Sequence, residues 1–160
     1  MKRVIVMRHA KSSWSSGVAS DHQRPLNPRG QRDAPRIAQE LARLGWAPDH
    51  VLCSDAARTH ETWAYMADEL PVATLDLRPE LYHSSRHDLE PLLARLPDTV
   101  STVLCLGHNP GWEHMVSVRS GQAIAMKTAN AALFRIASDS WKSALQATWE
   151  LDRILRPKGL

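Results

Sequence analysis

The chain has 160 residues, of which 43% are hydrophobic and 23% are charged. This balance excludes an intrinsically disordered protein and predicts a single domain over residues 1–160, and no apolar stretch approaches the length of a membrane span, so no membrane partner is expected. The formal net charge of +3 comes without a dense basic stripe or interleaved aromatic residues, so no nucleic-acid partner is expected either.

The N-terminus and the two cysteines bear on the cellular compartment. The chain begins Met-Lys-Arg, as a signal peptide could, but the apolar stretch that follows, Val4–Met7, is too short for the hydrophobic region of a signal. Cys53 and Cys105 each lie in a strand-like run and are expected to be buried free thiols. We therefore expect a cytoplasmic protein.

The first predicted element is a buried β-strand over Val4–Met7, which ends at Arg8 and His9. In open α/β sheets, ligand sites form where loops leave the carboxyl ends of the strands. A guanidinium beside an imidazole at such an end suits an anionic substrate, and phosphate is the obvious candidate.

A serine-rich surface loop over residues 12–17 follows, and a long amphipathic helix then begins at Asn27 and Pro28. Asn is a good N-cap, and Pro is tolerated at the first helical position. Gly45 is expected to end this helix. Pro35 predicts either a later start of the regular helix or a bend within it.

The second predicted strand, Val51–Cys53, is followed by Ser54, a residue type that caps helices well. We expect Ser54 to be the N-cap of a helix that runs from about Ala56 to Glu69. Arg58 would then lie in the first turn of this helix, close to the end of the strand.

The rest of the chain continues to alternate between strand and helix patterns. The predicted elements are an edge strand over Thr74–Leu77, a helix starting near Ser85 or Arg86, a strand over Thr102–Leu106, a helix over Gly111–Arg119, a strand over Ala131–Ala137, and a last turn or helix over Trp141–Leu145. This alternation predicts an α/β fold, a three-layer α/β/α sandwich with a mostly parallel central sheet.

Side chains able to carry positive charge follow three of these predicted strands. The strand over residues 102–106 is followed by Gly107 and His108, as the first strand is followed by Arg8 and His9. Because the carboxyl ends of parallel strands lie at one edge of a sheet, we expect these side chains to meet in one pocket. The four residues of this predicted anion site are Arg8, His9, Arg58 and His108.

The eight histidines raise the alternative of a metal site. The sequence contains no helical His-x-x-x-His and no Cys/His cluster, and arginines next to a dication would repel it. No metal and no cofactor are therefore expected. A module that binds phosphate without turnover is a further alternative.

Four motifs occur in a characteristic order: Arg8-His9-Ala10 after a strand, Arg24-Pro25-Leu26 with Gly30, Ser54-x-x-x-Arg58 with Thr62, and Gly107-His108-Asn109-Pro110. Together they resemble the histidine phosphatase superfamily, which has the phosphoglycerate mutase-like fold. The likeness runs from about Val4 to Ile136. Within the superfamily, the chain looks most similar to the short bacterial phosphohistidine phosphatases.

The resemblance implies that His9 is the nucleophile and becomes transiently phosphorylated. It also implies that Arg8, Arg58 and His108 bind the phosphoryl oxygens, and a protonated His108 would add a third cation. Glu80 lies roughly where relatives that hydrolyse phosphate esters carry a general acid. A solvated loop glutamate is the alternative for this residue.

Three further features of the sequence bear on the pocket. Asp21 could order it by pairing with an arginine, or could be an ordinary loop residue. Trp14 and Trp112 flank the catalytic segments and are candidates for a pocket wall, a partner contact or core packing. Thr128 is followed by Ala129, where the family often has Thr-Gly, so this turn is expected to differ.

The chain has no segment long enough to roof the pocket as larger relatives do, which predicts an open site. An open site favours a phosphatase over a mutase, since a mutase must shield its phosphoenzyme from water. It also suits a phosphorylated side chain on another protein, here phosphohistidine, whose leaving group can already carry its proton. A small-molecule phosphomonoesterase and a non-catalytic phosphate-recognition module are the alternatives.

Overall fold

A six-stranded mixed β-sheet forms the centre of the computed structural model, which describes residues 1–15 and 17–160. The strands are β1 (Lys2–Arg8), β2 (His50–Ser54), β3 (Thr74–Arg78), β4 (Thr102–Gly107), β5 (Ala131–Ile136) and β6 (Trp149–Leu155). The expected surface loop over residues 12–17 includes position 16, which lies outside the described residues.

Five α-helices cover the sheet: α1 (Pro28–Arg43), α2 (Ala57–Ala67), α3 (Arg86–Ala94), α4 (Gly111–Ser120) and α5 (Trp141–Ala144). Short 3-10 turns lie at Asp21–Gln23, Pro79–Leu81 and Pro157–Gly159. Among the described residues, no helix has the length and apolar character that crossing a membrane requires.

The strand order is β3-β2-β4-β1-β5-β6, in which the first four strands are parallel and β5 and β6 are antiparallel to their neighbours. Buried side chains of α1 and α2 pack on one face of the sheet, and those of α3, α4 and α5 pack on the other. The predicted three-layer α/β fold with a mostly parallel sheet is confirmed.

The apolar run of β1 is fully buried because both faces of the sheet are covered. Val4 and Val6 face the α3–α5 layer, whereas Ile5 and Met7 face the α1–α2 layer, and all four are fully buried. Alternation across a strand sends successive side chains to opposite faces, so an unbroken apolar run is typical of a strand covered on both sides.

The start of α1 follows its sequence signals. Asn27 Oδ1 accepts a hydrogen bond from the Gly30 N–H at 2.9 Å, and Pro28 occupies the first helical position. The helix continues through Pro35, so a later start is wrong. Gly45 follows the helix with a φ of +76°, the left-handed conformation in which glycine meets no steric penalty.

One predicted helix start is wrong, and one strand has no counterpart in the prediction. The N-cap of α2 is Ala56, and Ser54 remains in β2, where its hydroxyl accepts the Ala56 N–H at 3.3 Å. Arg58 still lies in the first turn of α2, as predicted. The final strand β6 was not predicted, because three charged side chains, Glu150, Asp152 and Arg153, interrupt its pattern.

The strand registers bring three strand ends to one edge of the sheet. Arg8 at the end of β1 is paired with Gly107 at the end of β4, and Cys53 near the end of β2 is paired with Leu106. The segments that follow, with His9, Ser54 and His108, therefore start side by side.

Candidate active site

His9 lies at this edge with 5% of its surface exposed. Its backbone N–H donates to the Gly107 carbonyl at 3.1 Å, which ties it to the end of β4. Its ring Nδ1 lies 2.7 Å from the Ala10 carbonyl oxygen, and a carbonyl can only accept, so Nδ1 carries the proton. Nε2 has no hydrogen-bond partner within residues 1–15 and 17–160, and it is the nitrogen left free to react.

The electrostatics keep His9 neutral. Burial, with the positive charges of Arg58 and Arg8, lowers the pKa of His9 to about 3. An imidazole with a pKa this low is unprotonated at pH 7 and retains a nitrogen lone pair. The acceptor that orients His9, which the sequence does not reveal, is thus the carbonyl of the next residue.

The backbone around His9 is itself fixed by α2. The Ala10 N–H donates to Thr62 Oγ1 at 3.0 Å, and the Thr62 hydroxyl donates to the Arg58 carbonyl at 2.7 Å. Thr62, which the sequence motif includes without a stated role, therefore links the turn after β1 to the helix that carries Arg58.

Arg58 is 6% exposed and is held by Asp21. Its two terminal nitrogens donate to the Asp21 backbone carbonyl at 2.9 Å and to Asp21 Oδ2 at 3.1 Å. Asp21 also accepts from the Tyr82 hydroxyl and from Arg24 Nε, the latter at 2.9 Å. Hydrogen bonds from Tyr82, Arg24 and Arg58 hold the pKa of the Asp21 carboxyl well below its usual range, so it stays ionised.

Arg8 reaches across the mouth of the site toward the segment before β5. Its terminal nitrogen donates to the Met126 carbonyl at 3.2 Å, and the Asn109 amide donates to the same oxygen at 2.7 Å. Arg8 and Arg58 lie close enough for each positive charge to act on the other and on His9. The structure therefore brings both predicted arginines to the nucleophile candidate.

His108 completes the group, with its ring centroid 5.3 Å from that of His9. Burial, followed by the influence of His9 and Arg58, lowers the pKa of His108 to about 3. Burial therefore favours the neutral ring at pH 7, in contrast to the third full positive charge that a protonated His108 would add. Its Nε2 lies 2.8 Å from Ser54 Oγ, which also accepts the Ala56 N–H at 3.3 Å. When the Ser54 hydroxyl donates to Nε2, the ring proton lies on Nδ1.

Three buried nitrogens around His9 lack hydrogen-bond partners among the described residues: Arg8 Nε, Arg58 Nε and His108 Nδ1. Unpaired arginine Nε atoms also occur elsewhere in the protein, so the distinguishing feature here is their clustering. Buried donors normally find partners, and this group can bind the oxygens of one anion.

The remaining candidates occupy different environments. Glu80 is exposed in the 3-10 turn after β3, and its side chain makes no ion pair with any described residue. Trp112 is fully buried under β4, where its ring packs against Gly107, so it is a core residue. Trp14 is 77% exposed, and the Arg24 guanidinium lies 3.6 Å from its ring centroid.

Tyr82 and Ser54 belong to the site, although the sequence patterns give them no role there. The Tyr82 ring packs edge-on against His108 at 5.6 Å and also contacts His22 and His83. Its position in the turn two residues after Glu80 carries no motif, and only the tertiary fold places it over Arg58. Neither this cluster nor any other group in residues 1–15 and 17–160 combines three His, Cys, Asp or Glu side chains suited to a metal ion.

Comparison with known proteins identifies the family. Residues 4–95 match the model of the histidine phosphatase superfamily, branch 1. An uncharacterised chloroplast protein of Arabidopsis thaliana is 38% identical to the chain over 98% of its length and 78% of that protein. The chain belongs to the histidine phosphatase superfamily. The predicted family is thus confirmed.

Solved structures of histidine phosphatases share the whole fold. The SixA protein of Nakamurella multipartitia, assigned as a phosphohistidine phosphatase, superimposes with a TM-score of 0.86 at 28% identity, over 98% of this chain and 96% of that one. The SixA protein of Agrobacterium tumefaciens, with the same assignment, has a TM-score of 0.83 at 26% identity, over 98% of both chains. These neighbours are of the short bacterial kind that the sequence motifs resemble.

Proposed function

We propose that this histidine phosphatase hydrolyses phosphohistidine on a partner protein, through a phosphorylated His9, without a metal ion. The observation that carries the proposal is a neutral, buried His9 whose Nδ1–H is held by the Ala10 carbonyl and whose Nε2 is free. A nitrogen nucleophile needs an available lone pair and a fixed direction, and this arrangement supplies both.

The surrounding donors suit the transition state of phosphoryl transfer. Charge spreads over three equatorial oxygens of the transferred group, and catalysis depends on positioning and on cations placed at those oxygens. Arg8 and Arg58 supply the charge, while His108 Nδ1–H supplies a neutral donor. Asp21 acts as a positioning residue, because it fixes the Arg58 guanidinium from one side.

The proposed reaction has two displacements at phosphorus. In the first, the lone pair of His9 Nε2 forms a P–N bond while the P–N bond to the substrate imidazole breaks, and that imidazole leaves with its electron pair. In the second, water attacks the phosphorus of phosphohistidine 9, the P–Nε2 bond breaks, and phosphate and neutral His9 are released. The protonated imidazole of a phosphohistidine substrate leaves as a neutral ring, so the first step needs no separate acid.

The experiment compares phosphoramidate with p-nitrophenyl phosphate as substrates, for the wild type and for His9→Ala. We expect fast phosphate release from phosphoramidate, slow release from the ester, and none from either with the variant. Acid-labile labelling of the wild-type protein, but not of His9→Ala, would identify the phosphoenzyme. Vanadate should inhibit and chelators should not; turnover that persists in His9→Ala, or that requires a divalent metal, contradicts the proposal.

Glu80 separates this function from a small-molecule phosphomonoesterase. Glu80 is exposed and forms no ion pair with residues 1–15 or 17–160, which supports a solvated glutamate, so Glu80→Gln should leave phosphoramidate turnover unchanged. If Glu80 delivers a proton to an alkoxide leaving group, the same variant should slow ester hydrolysis by about a hundredfold, the usual contribution of general acid catalysis. Binding of phosphate compounds with no turnover of any of them would instead indicate a recognition module.

A further inference from the structure

A second concave region lies beside the candidate active site, between α1, the segment before β5 and the segment after β6. It encloses about 890 Å³. Its lining contains six basic side chains and one acidic side chain, Asp33. The six, which we call the basic cleft, are Arg29, Arg32, Arg36, Lys127, Arg156 and Lys158, and all are exposed.

Most of the positive charge in the basic cleft is uncompensated. Arg29 lies 3.5 Å from Asp33, the acidic residue of the lining, and Arg36 donates a hydrogen bond to the main-chain oxygen of Leu160. Arg32, Lys127 and Lys158 have no Asp or Glu of residues 1–15 and 17–160 within ion-pair distance. Six like charges brought together from three chain segments repel one another, which favours binding of an anionic ligand.

Hydrogen bonds to the protein fix two of the six basic residues of the cleft, Arg156 and Lys127. Arg156 donates to the Ala125 carbonyl at 3.2 Å and also to Asn130 Oδ1. Asn130 is only 3% exposed, and its Oδ1 also accepts the Lys127 N–H at 3.1 Å. This buried amide therefore holds two basic residues of the cleft at its floor.

The segment 125–130 forms the wall between the basic cleft and the catalytic pocket. On the pocket side, the Met126 carbonyl accepts from Arg8, and the Ala129 N–H donates to the His9 carbonyl at 2.9 Å. On the other side, Lys127, Thr128 and Asn130 line the cleft. A substrate whose phosphoryl group reaches His9 can therefore extend over the cleft across a single stretch of backbone.

We propose that the basic cleft binds an acidic segment of the phosphorylated protein on which the enzyme acts, and so selects phosphohistidines with acidic neighbours. This inference rests on the proposed function. All six basic side chains are exposed in a wide depression, which fits an extended protein surface. The lining contains no aromatic residue on which nucleic-acid bases could stack, so a carboxylate-rich protein segment is the favoured occupant.

The test uses two synthetic peptides with a central phosphohistidine, flanked by glutamates in one and by glutamines in the other. At low salt, we expect kcat/KM to be about tenfold higher for the glutamate peptide, and the preference to disappear near 0.5 M salt, where the Debye length falls to about 4 Å. Arg32→Gln/Lys158→Gln should reduce the preference to about twofold, with phosphoramidate turnover unchanged, because an exposed charge pair contributes only modestly to binding and four of the six basic side chains remain.

A matched control is Arg95→Gln/Lys142→Gln, which removes the same charge at the opposite edge of the sheet. Arg95 is the C-cap of α3, and Lys142 follows Trp141, whose N–H donates to Asp98 Oδ1, near the start of β1. This control should keep the tenfold preference. Equal kcat/KM for the two peptides in the wild type, or equal losses in the two double variants, would overturn the inference.

Direct binding separates this inference from the proposed function. Fluorescence anisotropy with the unphosphorylated peptides should show tighter binding of the glutamate peptide, weakened only by Arg32→Gln/Lys158→Gln, even if phosphoramidate is not hydrolysed. Absence of phosphoramidate hydrolysis would contradict the proposed function alone. Tighter binding of a short DNA duplex than of the glutamate peptide, lost in Arg32→Gln/Lys158→Gln, would overturn the protein-segment inference.

Discussion

The guanidinium of Arg58 is held on one side by Asp21, which leaves three of its five N–H groups, including the unpartnered Nε–H, available to a ligand. A fixed donor costs no reorganisation when charge develops on the phosphoryl oxygens, and this is the main advantage of such a site over water. Arg58 is also within 5.8 Å of the Tyr82 ring, which restricts its movement on a second side.

Arg58→Ala should lower kcat/KM for phosphoramidate by about a hundredfold or more, the usual cost of removing a donor that stabilises a transition state. Arg58→Lys should recover only part of this loss, because an ammonium group cannot reproduce the planar fork. Steady-state phosphate release measures both, with Arg95→Ala as the control. Activity of Arg58→Ala within threefold of the wild type would contradict the assigned role.

At the scale of single residues, the sequence is sufficient to predict that Arg8, His9, Arg58 and His108 lie together at one edge of the sheet, because each lies at or shortly after the end of a recognisable strand. It is not sufficient to predict the protonation state of His108, which depends on burial. Tyr82 and the Ala10 carbonyl are also unpredictable, since their roles depend on contacts between loops that no periodic pattern records.

At the scale of elements, the turn before β5 supports the end of β1. Ala129 has a φ of +59°, in the left-handed region that costs a non-glycine residue about 1–2 kcal/mol. Its N–H donates to the carbonyls of both Arg8 and His9, at 3.2 and 2.9 Å. Ala129 thus holds this turn at the cost of backbone strain.

Ala129→Gly should change the free energy of unfolding by less than about 1 kcal/mol. Relief of strain is offset by the greater entropy of the unfolded chain, at about 0.4–1 kcal/mol, and by loss of one buried methyl group, at about 0.8 kcal/mol. Ala129→Val should lower the free energy of unfolding by about 2 kcal/mol or more, because a β-branched residue fits the left-handed backbone conformation poorly. Urea unfolding of both variants measures these changes, and equal free energies of unfolding for Ala129→Val and Ala129→Gly would contradict the prediction.

The burial of a strand decides whether its sequence pattern can predict it. The buried strands β1 and β4 stand out as apolar runs, and their parallel pairing follows from the helices between them. The edge strand β6 exposes or half-exposes five of its seven residues, so its composition resembles that of a loop. Charged side chains on an edge strand prevent it from pairing with another chain, and this is the physical reason for the charged residues that interrupt the apolar pattern of β6.

For the molecule as a whole, the buried histidines couple stability to pH. Burial lowers the pKa values of His9 and His108 from 6.5 to about 3. The unfolded chain therefore binds protons below about pH 6.5 that the folded protein does not bind until near pH 3. The two neutral rings therefore do not lower the free energy of unfolding above pH 6.5. Below that pH, the free energy of unfolding falls progressively until the pH approaches 3.

We expect the free energy of unfolding to fall by up to about 1.4 kcal/mol per pH unit for each of these histidines below pH 6.5. Urea unfolding, followed by tryptophan fluorescence, measures the slope between pH 6.5 and about 4.5, above the range in which most carboxyl groups titrate. His9→Gln/His108→Gln should have a clearly shallower slope over the same interval. Identical slopes for the two proteins would show that neither histidine is shielded as described.

The location of the two cysteines has a consequence for the cell. Cys53 and Cys105 are the only sulfhydryl groups in the chain, both lie inside the sheet, and burial raises the pKa of each, that of Cys53 to about 12. Peroxides attack thiolates, and neither sulfur presents one. Because the proposed nucleophile is the nitrogen of His9 and not a sulfur atom, we expect dephosphorylation by this protein to continue under oxidative stress that silences cysteine-dependent phosphatases.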